Sequence, residues 1–424
     1  MKLGILLSGG KDSLYAAYLA SKDHDITCAI TIRSKNKESY MFHTPNIDRT
    51  ALQAKAMNIP HIIIETEGEK ETELEELDLA INQAKKEHRI EGIVTGAVAS
   101  QYQASRVERI CHNHTLWCFN PLWQIDQMKL LQELEKHHFE VIIAGVYAYP
   151  FDETLLGKTI TSKTLQILES LQEKYQINPA GEGGEIETFV VDCPLFEKKI
   201  TITNDSSHYE NYAGTYTILD AHLDDKQSSN KPNIPSYFDT ITQHENHDEK
   251  SSVDVTIIDT TNQAIPLLQY GFIRPLVDAI TKQNLTFEII PLQNSSSAKV
   301  SGKKIIVSGT ALFDNQFLNH QTQFSEFIST IESNIPLLGI CAGFELLAKT
   351  FNANITPLTE IGAMQITKVN KSSLLVNAKQ EQYFLHGLGL EKNSTSLNEN
   401  INILATTEQS ISAIKINNTA FYGV

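Results

Sequence analysis

Cysteine, tryptophan and positive charge are all scarce in this 424-residue chain. Its 5 cysteines are scattered and odd in number, which excludes a disulfide framework and fits a reducing cytoplasm. The 35 basic residues are outnumbered by 51 acidic ones, for a formal charge of −16. That argues against a broad nucleic-acid surface, because such affinity rests on phosphate neutralisation by Lys and Arg. No apolar run reaches the length of a membrane span, and the run at 3–7 is too short for a signal segment. What is present, 41% hydrophobic and 20% charged residues with 21 Gly and 13 Pro, is ordinary globular composition, enough for two or three domains. A cytoplasmic protein without membrane attachment is the expectation.

Short apolar runs at 3–7, 26–32, 61–64, 92–95 and 141–144 read as buried parallel strands. Amphipathic stretches at 12–21, 48–58, 71–89, 126–138 and 162–175 read as helices, several of them set between those strands. The alternation predicts an α/β domain with a doubly wound parallel sheet over 1–223, closed by a hairpin at 199–203 and 215–219. Residues 224–252 are polar, Pro-interrupted and poor in aliphatics, as a linker would be. A second α/β set follows over 253–424, with strands at 253–259, 287–290, 305–308 and 336–340 and helices at 265–282, 321–332 and 343–351.

Ser8-Gly9-Gly10-Lys11-Asp12-Ser13 lies between a strand and a helix, where open α/β sheets bind ligands. Its chemistry suits phosphate. The glycines let the backbone approach an anion, turn and helix N–H groups point at it, Lys11 adds charge, and Asp12 is a candidate Mg²⁺ ligand. The bland alternative is a helix-capping turn. It is not a Walker loop, since Gly-Lys is followed by Asp and not by Ser or Thr.

The hexapeptide resembles the pyrophosphate loop of N-type ATP pyrophosphatases, which cleave ATP to AMP and pyrophosphate while adenylating an oxygen. Further motifs narrow this: Tyr40-Met-Phe-His43-Thr-Pro-Asn46; the stretch from Gly96 through Ser100, Tyr102, Gln103 and Arg106 to Glu108; Pro121-Leu-Trp123; and Gly181-Glu182-Gly183-Gly184-Glu185-Ile186-Glu187-Thr188. As a set, over 1–222, they resemble the diphthine–ammonia ligase family, whose members amidate diphthine on translation elongation factor 2. That resemblance implies ATP and Mg²⁺ at Ser8–Ser13 with Gly96, Ser100, Gln103 and Arg106, with Lys11 and Asp12 catalytic. It also implies a substrate site at Tyr102, Glu182, Gly183, Gly184, Glu185, Glu187 and Thr188. Diphthine carries a trimethylammonium group, which carboxylates with an aromatic such as Tyr102 or Trp123 suit. Arg106 has a second reading, a surface residue paired with Glu108, and His43 has two, nucleotide contact or loop closure. Cys111, His112, His114 and Cys118 lack the paired spacing of a zinc site and read as packing.

In the second half, Gly339-Ile-Cys341-Ala342-Gly343 sits between strand and helix as a nucleophile elbow, where the helix N-terminus favours a thiolate; a buried structural cysteine is the alternative. Together with Val307-Ser308-Gly309 and Glu360-Ile-Gly362 it resembles a class I glutamine amidotransferase with a flavodoxin-like fold, which implies Cys341 as nucleophile and Gly309 and Ala342 as oxyanion-hole donors. In that family the base and its carboxylate follow a Tyr-Gly-Val strand, and this chain stops at Tyr422-Gly-Val424. Two expectations stand: the dyad lies beyond Val424, or the glutaminase is degenerate. His386 lies on an earlier strand and does not match the base.

The reading of the whole is an AMP-forming ligase fed with ammonia directly or from glutamine. The rivals are a pyrophosphate-loop enzyme modifying tRNA, a glutamine-dependent ligase acting on a small carboxylate, and a ligase whose degenerate second half docks the elongation factor.

Overall fold

A computed structural model describes residues 1–36, 45–68, 73–226, 252–393 and 399–424. The chain forms two compact units, Met1–Asp239 and Thr240–Val424. Most of the expected linker, 227–251, lies outside the described residues, as do residues 40–44 of the motif ending at Asn46.

The first unit is built on five parallel strands, β1 (Lys2–Leu6), β2 (Asp25–Ser34), β3 (His61–Thr66), β4 (Gly92–Val94) and β5 (Trp117–Phe119), in the order β3-β2-β1-β4-β5. Leu3 and Ile5 are wholly buried because β1 is central and covered on both faces, which is why it reads as a continuous apolar run. The strand order reverses between β1 and β4, so the crevice beyond their C-terminal ends is the ligand position of this architecture. Helices α1 (Lys11–Ala20), α2 (Thr50–Ala56), α3 (Glu73–His88), α5 (Gln127–Lys136) and α6 (Ser162–Tyr175) fall on the five expected stretches, and α4 (Gln101–Asn113) adds a sixth between β4 and β5. Ser100 and Asp126 cap α4 and α5, accepting from the N–H groups of Gln103 and Lys129.

The apolar run at 141–144 does not join that sheet. It belongs to β6 (Glu140–Val146), in a separate antiparallel sheet of order β7-β6-β9-β8 with β7 (Ile186–Asp192), β8 (Lys198–Glu210) and β9 (Ala213–Asp225). A strand buried on both faces shows no alternation whichever way its neighbours run, so the pattern alone does not fix their direction. The terminal hairpin is also longer than its aliphatic residues suggest, since polar residues 203–208 continue the ladder.

In the second unit β10 (Val255–Asp259), β11 (Phe287–Pro291), β12 (Lys304–Val307), β13 (Leu337–Gly339) and β19 (Phe421–Gly423) are parallel in the order β11-β10-β12-β13-β19, the flavodoxin-like arrangement. Antiparallel strands β14 (Thr356–Gln365), β15 (Thr367–Lys368), β16 (Glu381–Glu391), β17 (Ile401–Thr406) and β18 (Ser410–Ile416) extend it. The helix expected over 265–282 divides into α7 (Leu267–Phe272) and α8 (Arg274–Lys282), with Pro275 in the first turn of α8, a position that tolerates its missing N–H. The remaining α-helices among the described residues are α9 (Gln321–Thr330) and α10 (Ala342–Thr350). Among the described residues no helix is long and apolar enough to cross a membrane.

Candidate active sites

A cavity of about 610 Å³ opens where β1 and β4 diverge. The loop after β1 forms its floor. Lys11 donates its backbone N–H to Thr188 Oγ1 at 3.1 Å, and Val190 on β7 donates to the Gly9 carbonyl at 3.0 Å. Gln53, fully buried on α2, donates to both Gly9 O (2.9 Å) and Val190 O (2.8 Å), locking loop and β7 together. The second sheet therefore completes the loop that the first begins.

The opposite wall is the loop after β4, held close to α1. A Cβ on Gly96 would stand 2.6 Å from Ser13 N and 2.7 Å from the Asp12 carbonyl carbon, so only glycine fits. Ser100 and Gln103, at the start of α4, line this wall.

The Lys11 side chain is buried. Its ammonium donates to Asp12 Oδ2 at 2.8 Å and to the Ala180 carbonyl at 2.5 Å, which ties the acidic 181–188 segment to the phosphate-type loop. Asp12 Oδ1 is buried with no hydrogen-bond partner, an orphaned anionic oxygen at the cavity that fits a cation such as Mg²⁺. Glu182 accepts the Ala99 N–H at 3.1 Å. Desolvation, then the Asp12 charge, raises its carboxyl. Glu187 is pushed up to about 7, chiefly by desolvation; Lys11 opposes the shift, while Asp12 and Glu182 add to it. Two carboxylates whose pKa values are raised chiefly by burial thus face a cavity with one buried lysine.

Of the residues assigned to this site, Ser8, Gly10, Lys11, Asp12, Ser13, Gly96, Ser100, Gln103, Glu182, Gly183, Gly184, Glu187 and Thr188 line one cavity. Four do not. Gly9 lies behind the loop, with φ +89° and its carbonyl bonded by Gln53. Tyr102 and Arg106, one helical turn apart, stack on each other at 3.4 Å with a bond from Arg106 to the Tyr102 carbonyl, so neither lines the cavity. Glu185 turns inward, accepting from Asn178 Nδ2 (2.7 Å) and Gly183 N–H (2.8 Å). It staples the loop. Glu185→Ala is expected to lower stability by about 1–2 kcal/mol and to speed amide exchange at 181–184; unchanged exchange there would refute the staple. Trp123 also lies outside the lining. Cys111 and Cys118 are buried, and His114 pairs with Asp78 at 2.8 Å. Gln53, Asn178 and Ala180 were not foreseen: Gln53 acts on Val190, 137 positions away, Ala180 acts through a carbonyl on Lys11, and Asn178 acts on Glu185 only once the loop turns back on itself.

In the second unit, Cys341 caps α10 with φ +50° and ψ −109°, a strained elbow for a residue with a side chain. Gly343 is required, since its Cβ would stand 2.4 Å from the Val307 carbonyl. The backbone N–H groups of Thr310 and Ala342 address the Cys341 sulfur, whereas Gly309 supplies room, its Cβ position being 3.0 Å from Cys341 Cβ. The thiol itself donates to Leu385 O at 3.5 Å. Burial, reinforced by Glu345, pushes it up to about 12, so the helix N-terminus does not hold a thiolate here. Glu345, one turn along α10, is raised to about 8 by burial. Cys341, Glu345, His386, Ser410 and Val424 line a cavity of about 350 Å³. His386 faces Leu358 O through Nδ1 (3.1 Å) and Glu360 Oε2 through Nε2 (3.0 Å), so both ring nitrogens are engaged away from sulfur. Burial favours a protonated Glu360, but hydrogen bonds from His386, Thr407 and Ser410 outweigh it and hold the carboxyl below its ordinary value. The Cys341 N–H donates to Val424 O at 2.9 Å.

Family models match along the chain in the same order: the diphthamide synthase N-terminal domain at 1–117, its C-terminal domain at 126–223, and glutamine amidotransferase class-I at 267–424. The diphthine–ammonia ligase of Bos taurus is 34% identical over 258 residues, spanning 54% of this chain and 94% of the relative. That of Homo sapiens is 33% identical over 259 residues, 54% of this chain and 95% of the relative. A solved glutamine amidotransferase from Thermotoga maritima is similar over 40% of this chain and 74% of its own, with 18% identity and a TM-score of 0.31. With the loops of both sheets converging on one cavity and near-complete coverage of these relatives, the chain belongs to the diphthine–ammonia ligase family.

Proposed function

We propose that the chain is an ATP-dependent, AMP-forming ligase that amidates diphthine on elongation factor 2, with the ligase domain at 1–223 and an amidotransferase domain at 253–424. ATP enters the cavity with its phosphates on the Ser8–Ser13 loop, where glycine backbone and helix N–H groups meet anionic oxygens. Mg²⁺ at Asp12 would supply charge neutralisation for the phosphates. The diphthine carboxylate attacks the α-phosphorus, the bond to the β-phosphate oxygen breaks, and pyrophosphate leaves. Ammonia adds to the acyl-adenylate carbonyl, AMP departs, and the amide remains with loss of one proton. Activation is needed because hydroxide is a poor leaving group from a carboxylate.

The observation that carries this reading is the placement of Glu182 and Glu187 in the same cavity as the phosphate-type loop. An acidic wall beside an ATP site suits a cationic acceptor such as a trimethylammonium side chain and disfavours a polyanionic one such as tRNA. The second domain would release ammonia from glutamine through a Cys341 thioester. The cytoplasm is the compartment that holds elongation factor 2 and agrees with five unpaired cysteines.

AMP release measured with diphthine-bearing elongation factor 2, with ammonium or glutamine as nitrogen source, tests both halves. Factor-dependent AMP is expected with ammonium, and with glutamine where a base completes the Cys341 site. Cys341→Ala is expected to lower the glutamine-driven rate at least about 100-fold and leave the ammonium-driven rate intact. No factor-dependent AMP from either source would overturn the ligase reading; equal loss with both sources would overturn the division of labour.

A further inference from the structure

Three tyrosines from three separate elements, Tyr149, Tyr175 and Tyr212, meet on the surface, and a fourth, Tyr147, stands two residues before Tyr149 against the acidic loop. Tyr147, just past β6, donates its N–H to the Glu185 carbonyl at 2.9 Å. Its ring lies over Gly145, where a Cβ would stand 2.6 Å from the phenol oxygen. Desolvation raises its phenol, the bond to Thr215 opposes this, and the Glu187 charge adds to it, which places the ring near that carboxylate. Tyr149 meets Tyr175 and Tyr212 edge-on, both with centroids 5.3 Å away. Tyr175 ends α6, three residues before Asn178, which holds Glu185.

Tyr212 stands at the tip of the β8–β9 hairpin, where Asn211 and Tyr212 have φ of 51° and 63°. Left-handed backbone costs a bulky residue energy that glycine would avoid, so an aromatic ring is held there against a local penalty. Lys174 already covers Tyr175 at 4.9 Å. The open aromatic surface is that of Tyr147, Tyr149 and Tyr212, which are 40%, 58% and 55% exposed. Tyrosine offers large, rigid contact area at low entropic cost, and clustered exposed aromatics mark interaction surfaces.

The surroundings select the occupant. Exposed Asp152 and Glu153 add, after desolvation, to raising the phenol of nearby Tyr209, and exposed Glu210 precedes the hairpin tip. Acidic groups interleaved with aromatic rings suit a polypeptide with positive charge and repel nucleic acid or an anionic membrane. A cavity of about 610 Å³ shared with ATP has room for one side chain of a protein substrate, whose remaining surface has to rest on the adjoining rim.

We propose that Tyr147, Tyr149 and Tyr212 form the docking surface for the positively charged polypeptide segment that carries the residue to be amidated, while the cavity takes only its modified side chain. This rests on the proposed function and deepens it. The test compares the full chain with its Tyr149→Ser/Tyr212→Ser variant, using diphthine-bearing elongation factor 2 and ammonium. The KM for the factor is expected to rise about 10- to 100-fold, with the calorimetric Kd for ATP unchanged and Tyr149→Phe/Tyr212→Phe restoring most of the affinity. An unchanged KM for the factor, with wild-type activity present, overturns the docking surface and leaves the ligase intact. No factor-dependent AMP from the wild type overturns both. A wild-type dimer that the Ser variant converts to monomer, with KM unchanged, assigns the surface to a second copy and also overturns it.

Discussion

Glu187→Gln is expected to lower kcat/KM for the protein substrate at least about 100-fold while making the folded chain more stable at pH 8. The carboxylate sits on β7 and lines the cavity; on the proposed function a cationic side chain would meet it there without bulk water between them, and its loss would remove a charge-assisted contact worth roughly 3 kcal/mol. The stability gain follows from linkage. Glu187 is raised from 4.5 to about 7, chiefly by desolvation, so between those values the folded state binds more protons than the unfolded one. Stability of the wild type therefore falls as pH rises through that window. Gln carries no such cost. Its advantage should be absent below pH ~4.5 and reach about 1–3 kcal/mol above pH ~7, the range discounted for partial exposure. Denaturant unfolding of both proteins at pH 5 and pH 8 checks this, and an equal difference at the two pH values would refute it. Wild-type affinity for the cationic substrate should likewise rise between pH 6 and 8.

Gly96→Ala is expected to cost about 2–3 kcal/mol and to weaken ATP binding more than 10-fold. The added methyl would meet backbone at 2.6–2.7 Å, Ser13 N and the Asp12 carbonyl carbon, and backbone cannot rotate aside as a side chain does. The loop after β4 would have to withdraw from the start of α1, widening the crevice and moving Ser100 and Gln103 from the phosphate-type loop. Calorimetric titration with ATP decides the matter, since wild-type affinity in the variant would show that the two walls are independent.

The phosphate-type loop was legible because its signal is local: an apolar strand, two glycines, Lys-Asp and a helix occur within twenty residues. The strand order was not, but in both units it agrees with the α/β class that the alternation predicts. The divergent roles of Glu182, Glu185 and Glu187 were hidden, since three carboxylates within six residues look alike until Gly184, at φ +81°, turns the loop and sends Glu185 to Asn178. The stacking of Tyr102 on Arg106 was readable in principle, because residues four apart share a helix face. Strand β5, three residues long, was too short to stand out. Of the antiparallel extension β14–β18 in the second unit, the strand that carries His386 was foreseen and the pairing was not, since β14 and β16 mix polar and apolar residues without clean alternation.

The bond from the Lys11 N–H to Thr188 spans 177 positions, and the Gly9 carbonyl waits for Val190. This sets an order of events during synthesis. A nascent chain that has emerged through β5 holds every strand of the parallel sheet, yet its phosphate-type loop still lacks β7, the Ala180 carbonyl that engages Lys11, and the acidic wall. On the proposed function, nucleotide affinity would arrive late and together with the acceptor site, and a half-made chain would hold ATP less tightly and spend less of it on water. Separately expressed halves cut near residue 120 would share that silence until they reassociate.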